Sequence, residues 1–171
     1  DIVSAATKLA SSNHVEAVQF IRTGSGAPSG TVDKYAGDTR SNPYFTNDPL
    51  FHYQWNLYND GSLDTNFSSG ADVGAAYAWN LCGGDPRVVV AIIDGPVKYN
   101  HEDLADNMWV NQKELQGTEG VDDDNNGYVD DIYGYNFAQG KGAIDWTGPG
   151  ELGHGTHVAG IVGAVNDNGK G

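Results

Sequence analysis

Arg87-Val88-Val89-Val90-Ala91-Ile92-Ile93-Asp94-Gly95 is a continuous, β-branched apolar run that ends abruptly in a carboxylate. An uninterrupted run of this length reads as a strand buried on both faces. Before it, Asp72–Leu81 carries a helical pattern that Gly83-Gly84-Asp85-Pro86 stops. This helix-turn-strand succession predicts an α/β fold with a largely parallel sheet. Further on, Leu152-Gly153-His154-Gly155-Thr156-His157-Val158-Ala159-Gly160 sets a histidine between two glycines at the mouth of an apolar helical run. His154 is expected at or just before the first helical turn, with its imidazole exposed. Asp94 is expected at the carboxyl end of a central strand, where sites in open α/β sheets assemble.

An uncharged Ser hydroxyl is a poor nucleophile near neutral pH. Amide hydrolysis through it needs a base within hydrogen-bond reach and an anion that holds that base in one tautomer. His154 and Asp94 suit those two tasks. His157, three residues on, is expected near the same helical face, and Gly160 offers a smooth surface for close packing. A zinc peptidase is disfavoured, because no His-Glu-x-x-His occurs and Glu102 follows His101 in a loop.

A second constellation is Val121-Asp122-Asp123-Asp124-Asn125-Asn126-Gly127-Tyr128-Val129-Asp130-Asp131. Asp122, Asp124 and Asn126 alternate ahead of Gly127, a spacing that wraps oxygens around a hard cation at about 2.4 Å while glycine makes the turn. Calcium is the natural occupant. The loop resembles the start of an EF-hand, but its twelfth position is Tyr133 rather than a bidentate Glu, so Asp130 or Asp131 would close the shell. The candidate ligand set is Asp122, Asp124, Asn126, Tyr128, Asp130 and Asp131. The alternative is a solvated acidic loop, whose carboxylates would repel one another without a cation.

The Asp94 strand, the Gly-His-Gly-Thr-His-Val-Ala-Gly run and Tyr99-Asn100-His101-Glu102-Asp103-Leu104 together resemble the subtilisin-like serine proteases, or subtilases, over roughly residues 47–171. The resemblance implies a three-layer subtilisin-like fold with a mostly parallel sheet, of which this chain is the N-terminal half. It implies His154 as general base oriented by Asp94, and His157 as the motif's structural histidine. The Ser nucleophile would lie on a missing continuation or a separate C-terminal fragment. The whole would be a secreted or cell-surface, calcium-stabilised endopeptidase acting on peptides or proteins. Asn47-Asp48-Pro49-Leu50-Phe51 is similar to the start of the mature domain, which implies a further calcium site drawing on Asp48, Asp103, Asn166 and Asn168. One departure stands out: the family follows its Asp with Thr or Ser and then Gly, whereas here Gly95 and Pro96 follow. A hydroxyl is lost, and Pro96 removes an N–H. That departure motivates a rival reading, a catalytically inactive relative acting as a calcium-dependent binding or structural module.

Residues 1–22 read as a short helix over 4–12, with Ala5, Ala6, Leu9 and Ala10 on one side, then a strand over Val15–Phe20. They resemble the last elements of an inhibitory propeptide; an unrelated N-terminal extension is the alternative. Residues 23–46 read as a linker, flexible by composition over Thr23–Gly30, and 47–171 as the peptidase portion. With 171 residues and 39% hydrophobic content the chain can bury a core. A net charge of −14 disfavours nucleic acid and anionic membranes, suiting instead a secreted protein or one that holds divalent cations. No apolar run approaches the roughly 20 residues of a membrane span. Asp1 reads as a processing boundary, and the exposed Asn166–Gly171 stretch as a plausible place for a nick. The lone Cys82 excludes an internal disulfide and is expected to pack at a helix end.

Overall fold

A computed structural model of the chain describes residues 17–22, 43–80, 82–147 and 153–171. Its regular elements run β1 (Ala17–Arg22), α1 (Ala75–Ala78), β2 (Val89–Asp94), α2 (Gln112–Gln116), β3 (Gly134–Tyr135) and α3 (His154–Gly163). The chain divides into two compact units, Asp1–Thr23 with Pro86–Ala164 and Gly24–Asp85 with Val165–Gly171. Among the described residues no helix is long and apolar enough to cross a membrane. The expected helix over 4–12, the first two residues of the Val15–Phe20 strand and the Thr23–Gly30 linker lie outside the described residues.

In the first unit the strand order is β2-β1-β3. β1 runs antiparallel to β2, pairing Ala17 with Asp94 through to Arg22 with Val89, and antiparallel to β3. The described sheet is therefore antiparallel, where a mostly parallel one was expected. The apolar run over 87–93 does mark a strand, but only Ile92 is buried in it and Val88 is exposed, and the run does not report the direction of the strand beside it.

α3 buries Gly155, Ala159 and Gly163, which recur every four residues and so form one narrow face of small side chains. The core there consists of Ile92, Val97, Leu104, Met108 and Ala159, with Val90, Tyr99, Tyr133, Val158 and Val162 packed around it. Burying a Val or Leu side chain stabilises by roughly 1.5–3 kcal/mol. Val97 and Leu104, both fully buried, thus anchor the segment that leaves the Asp94 end of β2. Two hydrogen bonds tie that segment to α3. Lys98 N–H donates to Thr156 Oγ1 at 3.0 Å, and the buried Asn107 donates from Nδ2 to the Gly163 carbonyl at 2.9 Å. The second satisfies a carbonyl left over at the helix end.

Aromatic rings dominate the second unit, where Phe45 meets Tyr58 edge-on at 5.0 Å and Phe51 packs 5.9 Å from Trp79. The helix expected over Asp72–Leu81 is only the four residues of α1. Asp72 accepts from Gly74 N at 2.6 Å and Asn59 N at 2.8 Å, and Gly74 takes the left-handed φ of 68°. The carboxylate thus organises a turn where a helical start was expected. Cys82 is exposed and its Sγ accepts from Gly84 N at 3.4 Å, so it does not pack in a core.

Candidate active site

Asp94 ends β2, and its Oδ1 accepts from the next amide, Gly95 N, at 2.6 Å. His154 opens α3, and its Nδ1 lies 2.7 Å from Asp94 Oδ1 and 2.8 Å from Oδ2. An ionised carboxylate can only accept, so Nδ1 carries the proton and Nε2 is the basic nitrogen. The imidazole is 61% exposed and the Asp94 side chain 18%. The anion is thus sheltered while the base faces outward, an arrangement able to take a proton from an incoming hydroxyl.

Glycine makes this approach possible. A Cβ on Gly155 would lie far inside van der Waals contact with the Gly95 carbonyl oxygen, and 3.1 Å from that of Pro96. Gly160, by contrast, has nothing within 4 Å of a Cβ placed on it. The close-packing glycine of the motif is therefore Gly155; the expectation for Gly160 fails because it lies off the narrow buried face. His157 does not join the Asp94–His154 pair. It lines a cleft of about 530 Å³ with His101, Trp146 and Ile161.

The acidic loop folds around a residue the sequence analysis missed. Glu114, on α2 and 5% exposed, accepts from Asp123 N at 2.8 Å, Asp124 N at 3.1 Å and Asp130 N at 2.9 Å. Asp131, 4% exposed, accepts from Asn111 Nδ2 at 2.7 Å and Asn126 Nδ2 at 2.9 Å. Glu114, Asp124 and Asp131 each bring a carboxylate oxygen within 4.8 Å of the others. Burial pushes the Asp131 carboxyl up to about 6; the Asn126 and Asn111 hydrogen bonds oppose this, and the Asp124 and Glu114 charges add to it.

Of the predicted ligands, Asp124, Asn126 and Asp131 thus meet one another. Asp122 adjoins them, sharing the Asn126 amide with Asp124 and accepting also from Gly127 N, while Asp130 accepts from Gly120 N and the Tyr128 ring packs 4.8 Å from Tyr135. The available signal for Glu114 was its place three residues after Asn111, the spacing of a helix cap. Asn111 does cap α2, accepting from Lys113 N.

Asp48 collects the amides of Asp167 at 2.9 Å, Asn168 at 3.2 Å and Gly169 at 3.1 Å. In the same loop Asn166 Oδ1 is buried with no hydrogen-bond partner, and Asn168 Oδ1 accepts from Lys170 N. Asp103 belongs to the first unit, where its N–H donates to His101 Nδ1 at 3.1 Å.

A carboxylate-oriented imidazole at a strand end and a helix start is an arrangement that hydrolases can use as a general base. The subtilase family model matches residues 85–171, just over half of the chain, and the chain belongs to that family. With membership comes the α/β class. The chain is 51% identical over 83 residues to subtilisin-like protease 1 of Plasmodium vivax, covering 48% of this chain and 12% of that protein. It is 37% identical over 94 residues to the halolysin-like extracellular serine protease Nep of Natrialba magadii, covering 54% of this chain and 14% of that one. A match to neuroendocrine convertase 2 of Mus musculus has 43% identity over 61 residues, 36% of this chain and 9% of the relative. The matched stretch thus spans only a small part of each relative.

Proposed function

We propose that this chain supplies the Asp and His of a calcium-stabilised, secreted or cell-surface subtilisin-like serine endopeptidase. The Ser nucleophile comes from a further stretch of the same protease, contiguous or held as a separate C-terminal fragment. The observation that carries this reading is the paired contact of His154 Nδ1 with both Asp94 oxygens. As Ser attacks a peptide carbonyl, Nε2 of His154 takes its proton, Asp94 stabilises the resulting imidazolium, and the proton passes to the leaving amine. The rival reading of an inactive module rests on Gly95 and Pro96. It is weakened by the Gly95 amide, which reaches Asp94 without any side-chain hydroxyl.

Calcium suits the oxygen-only donor set of Glu114, Asp124 and Asp131, which would hold it in the acidic loop. The orphaned Asn166 carbonyl oxygen also fits a cation, which Asp48, Asn166 and Asn168 would hold in the second unit. Bound calcium neutralises the clustered carboxylates and braces both loops. Replacing His154 by Ala in the full protease should abolish most hydrolysis of a chromogenic peptide, and unchanged turnover would refute the assignment. Labelling of the full protease by a fluorophosphonate would eliminate the inactive module.

A further inference from the structure

We infer that Thr156 is a positioning residue for the Asp94–His154 pair, acting through the turn that follows Asp94. The inference deepens the proposed function and rests on it. His154 and Asp94 lie on two different elements, so their distance depends on how the first turn of α3 sits against the end of β2. Two contacts bear on that seating directly. The backbone of Gly155 rests on the Gly95 carbonyl, a contact that resists closer approach. Thr156 Oγ1 accepts the Lys98 N–H at 3.0 Å, a contact that resists separation. One sets the minimum distance and the other draws the turn in.

The hydroxyl is committed outward rather than to its own helix. The N-cap of α3 is Gly153, which has no side chain, and no side-chain hydrogen bond caps the helix. A threonine in such a first turn could serve the local backbone, yet its oxygen meets an amide 58 positions away. In the turn it grips, Pro96 has no N–H and Gly95 brings no hydroxyl, where the family resemblance leads one to expect Thr or Ser. Beside the buried Val97 side chain and the Gly95 amide, the hydroxyl of Thr156 therefore supplies a side-chain hydrogen bond that ties this turn to the helix bearing His154. A misplacement of a fraction of an ångström at an oriented base lowers turnover without altering substrate binding.

The test compares the full-length protease with its Thr156→Val and Thr156→Ser variants, with His154→Ala as reference. The Val side chain keeps the shape and removes the acceptor, whereas Ser keeps it. We expect Thr156→Val to lower kcat about tenfold with KM unchanged, and Thr156→Ser to restore kcat to within about twofold of the parent. The far-downfield proton resonance of the carboxylate-bound imidazole N–H should weaken in the Val variant and return in the Ser variant, independently of turnover. Unchanged kcat in Thr156→Val, a loss that Ser does not restore, or an equal rise in KM would overturn the inference. Full activity in His154→Ala would instead overturn the function on which it rests.

Discussion

His154 Nδ1 meets Asp94 Oδ1 at 2.7 Å although 60 positions separate the two residues, and the contact joins a helix start to a strand end. The sheltered carboxylate selects the tautomer of an exposed base. Replacing Asp94 by Asn keeps the shape but presents an amide that can donate to Nδ1, favouring the wrong tautomer. Asp94→Asn should lower kcat by about ten-thousandfold while leaving the melting temperature nearly unchanged. Steady-state kinetics on a peptide substrate would check this, and a loss under tenfold would remove Asp94 from the site.

Gly155 and Gly160 make a matched pair for stability. Gly155→Ala sets a methyl against the Gly95 carbonyl, which is backbone and cannot rotate away. Overpacking of this kind should destabilise by about 1–3 kcal/mol. Gly160→Ala meets open space in a helix interior and should be neutral or stabilise by about 0.5–1 kcal/mol. Urea unfolding of both variants beside the parent would decide; equal effects would mean that α3 does not rest on the Asp94 turn.

The Asp131 carboxyl gives the acidic loop a pH signature. Its value is raised on folding to about 6, so the folded state binds the proton more tightly than the unfolded one. Its contribution to stability is complete below the unfolded value of 3.8 and is lost as pH rises through about 6. Calcium favours the ionised form and should reverse that loss. The increase in melting temperature on adding calcium should therefore be larger at about pH 7.5 than at about pH 5, and Glu114→Gln should diminish it. Melting curves with calcium and with a chelator would test this, and an increase equal at both pH values would exclude Asp131 from the ligand set.

The sequence marks Asp94 and His154 because each sits at a boundary with its own local chemistry: an apolar run cut short by a carboxylate, and a histidine flanked by glycines. Strand direction has no such local mark, and the β1–β2 pairing is invisible in the run over 87–93. Glu114 was hidden for a similar reason. Its role arises only when the amides of Asp123, Asp124 and Asp130 fold back onto α2, a non-local event that the spacing within the loop does not encode. Asp72 misled because a carboxylate before an apolar stretch reads equally as a helix start or a turn, and a left-handed Gly74 decides for the turn. Tyr128 and Asp130 satisfy the spacing of a cation loop; the Tyr128 ring packs on Tyr135 and the Asp130 carboxylate accepts from the Gly120 amide, contacts that the spacing does not encode.

The tethers between α3 and the segment after β2 have a kinetic side. Asp94 with His154, Lys98 with Thr156 and Asn107 with Gly163 span 60, 58 and 56 positions. The entropic cost of closing a loop grows only with the logarithm of its length, and these three loops overlap over most of their span. Whichever contact forms first incurs the largest cost, and the other two then close over shorter remaining gaps. Docking of the helix is in this sense a single event, and the approach of the histidine to its carboxylate is one of its results.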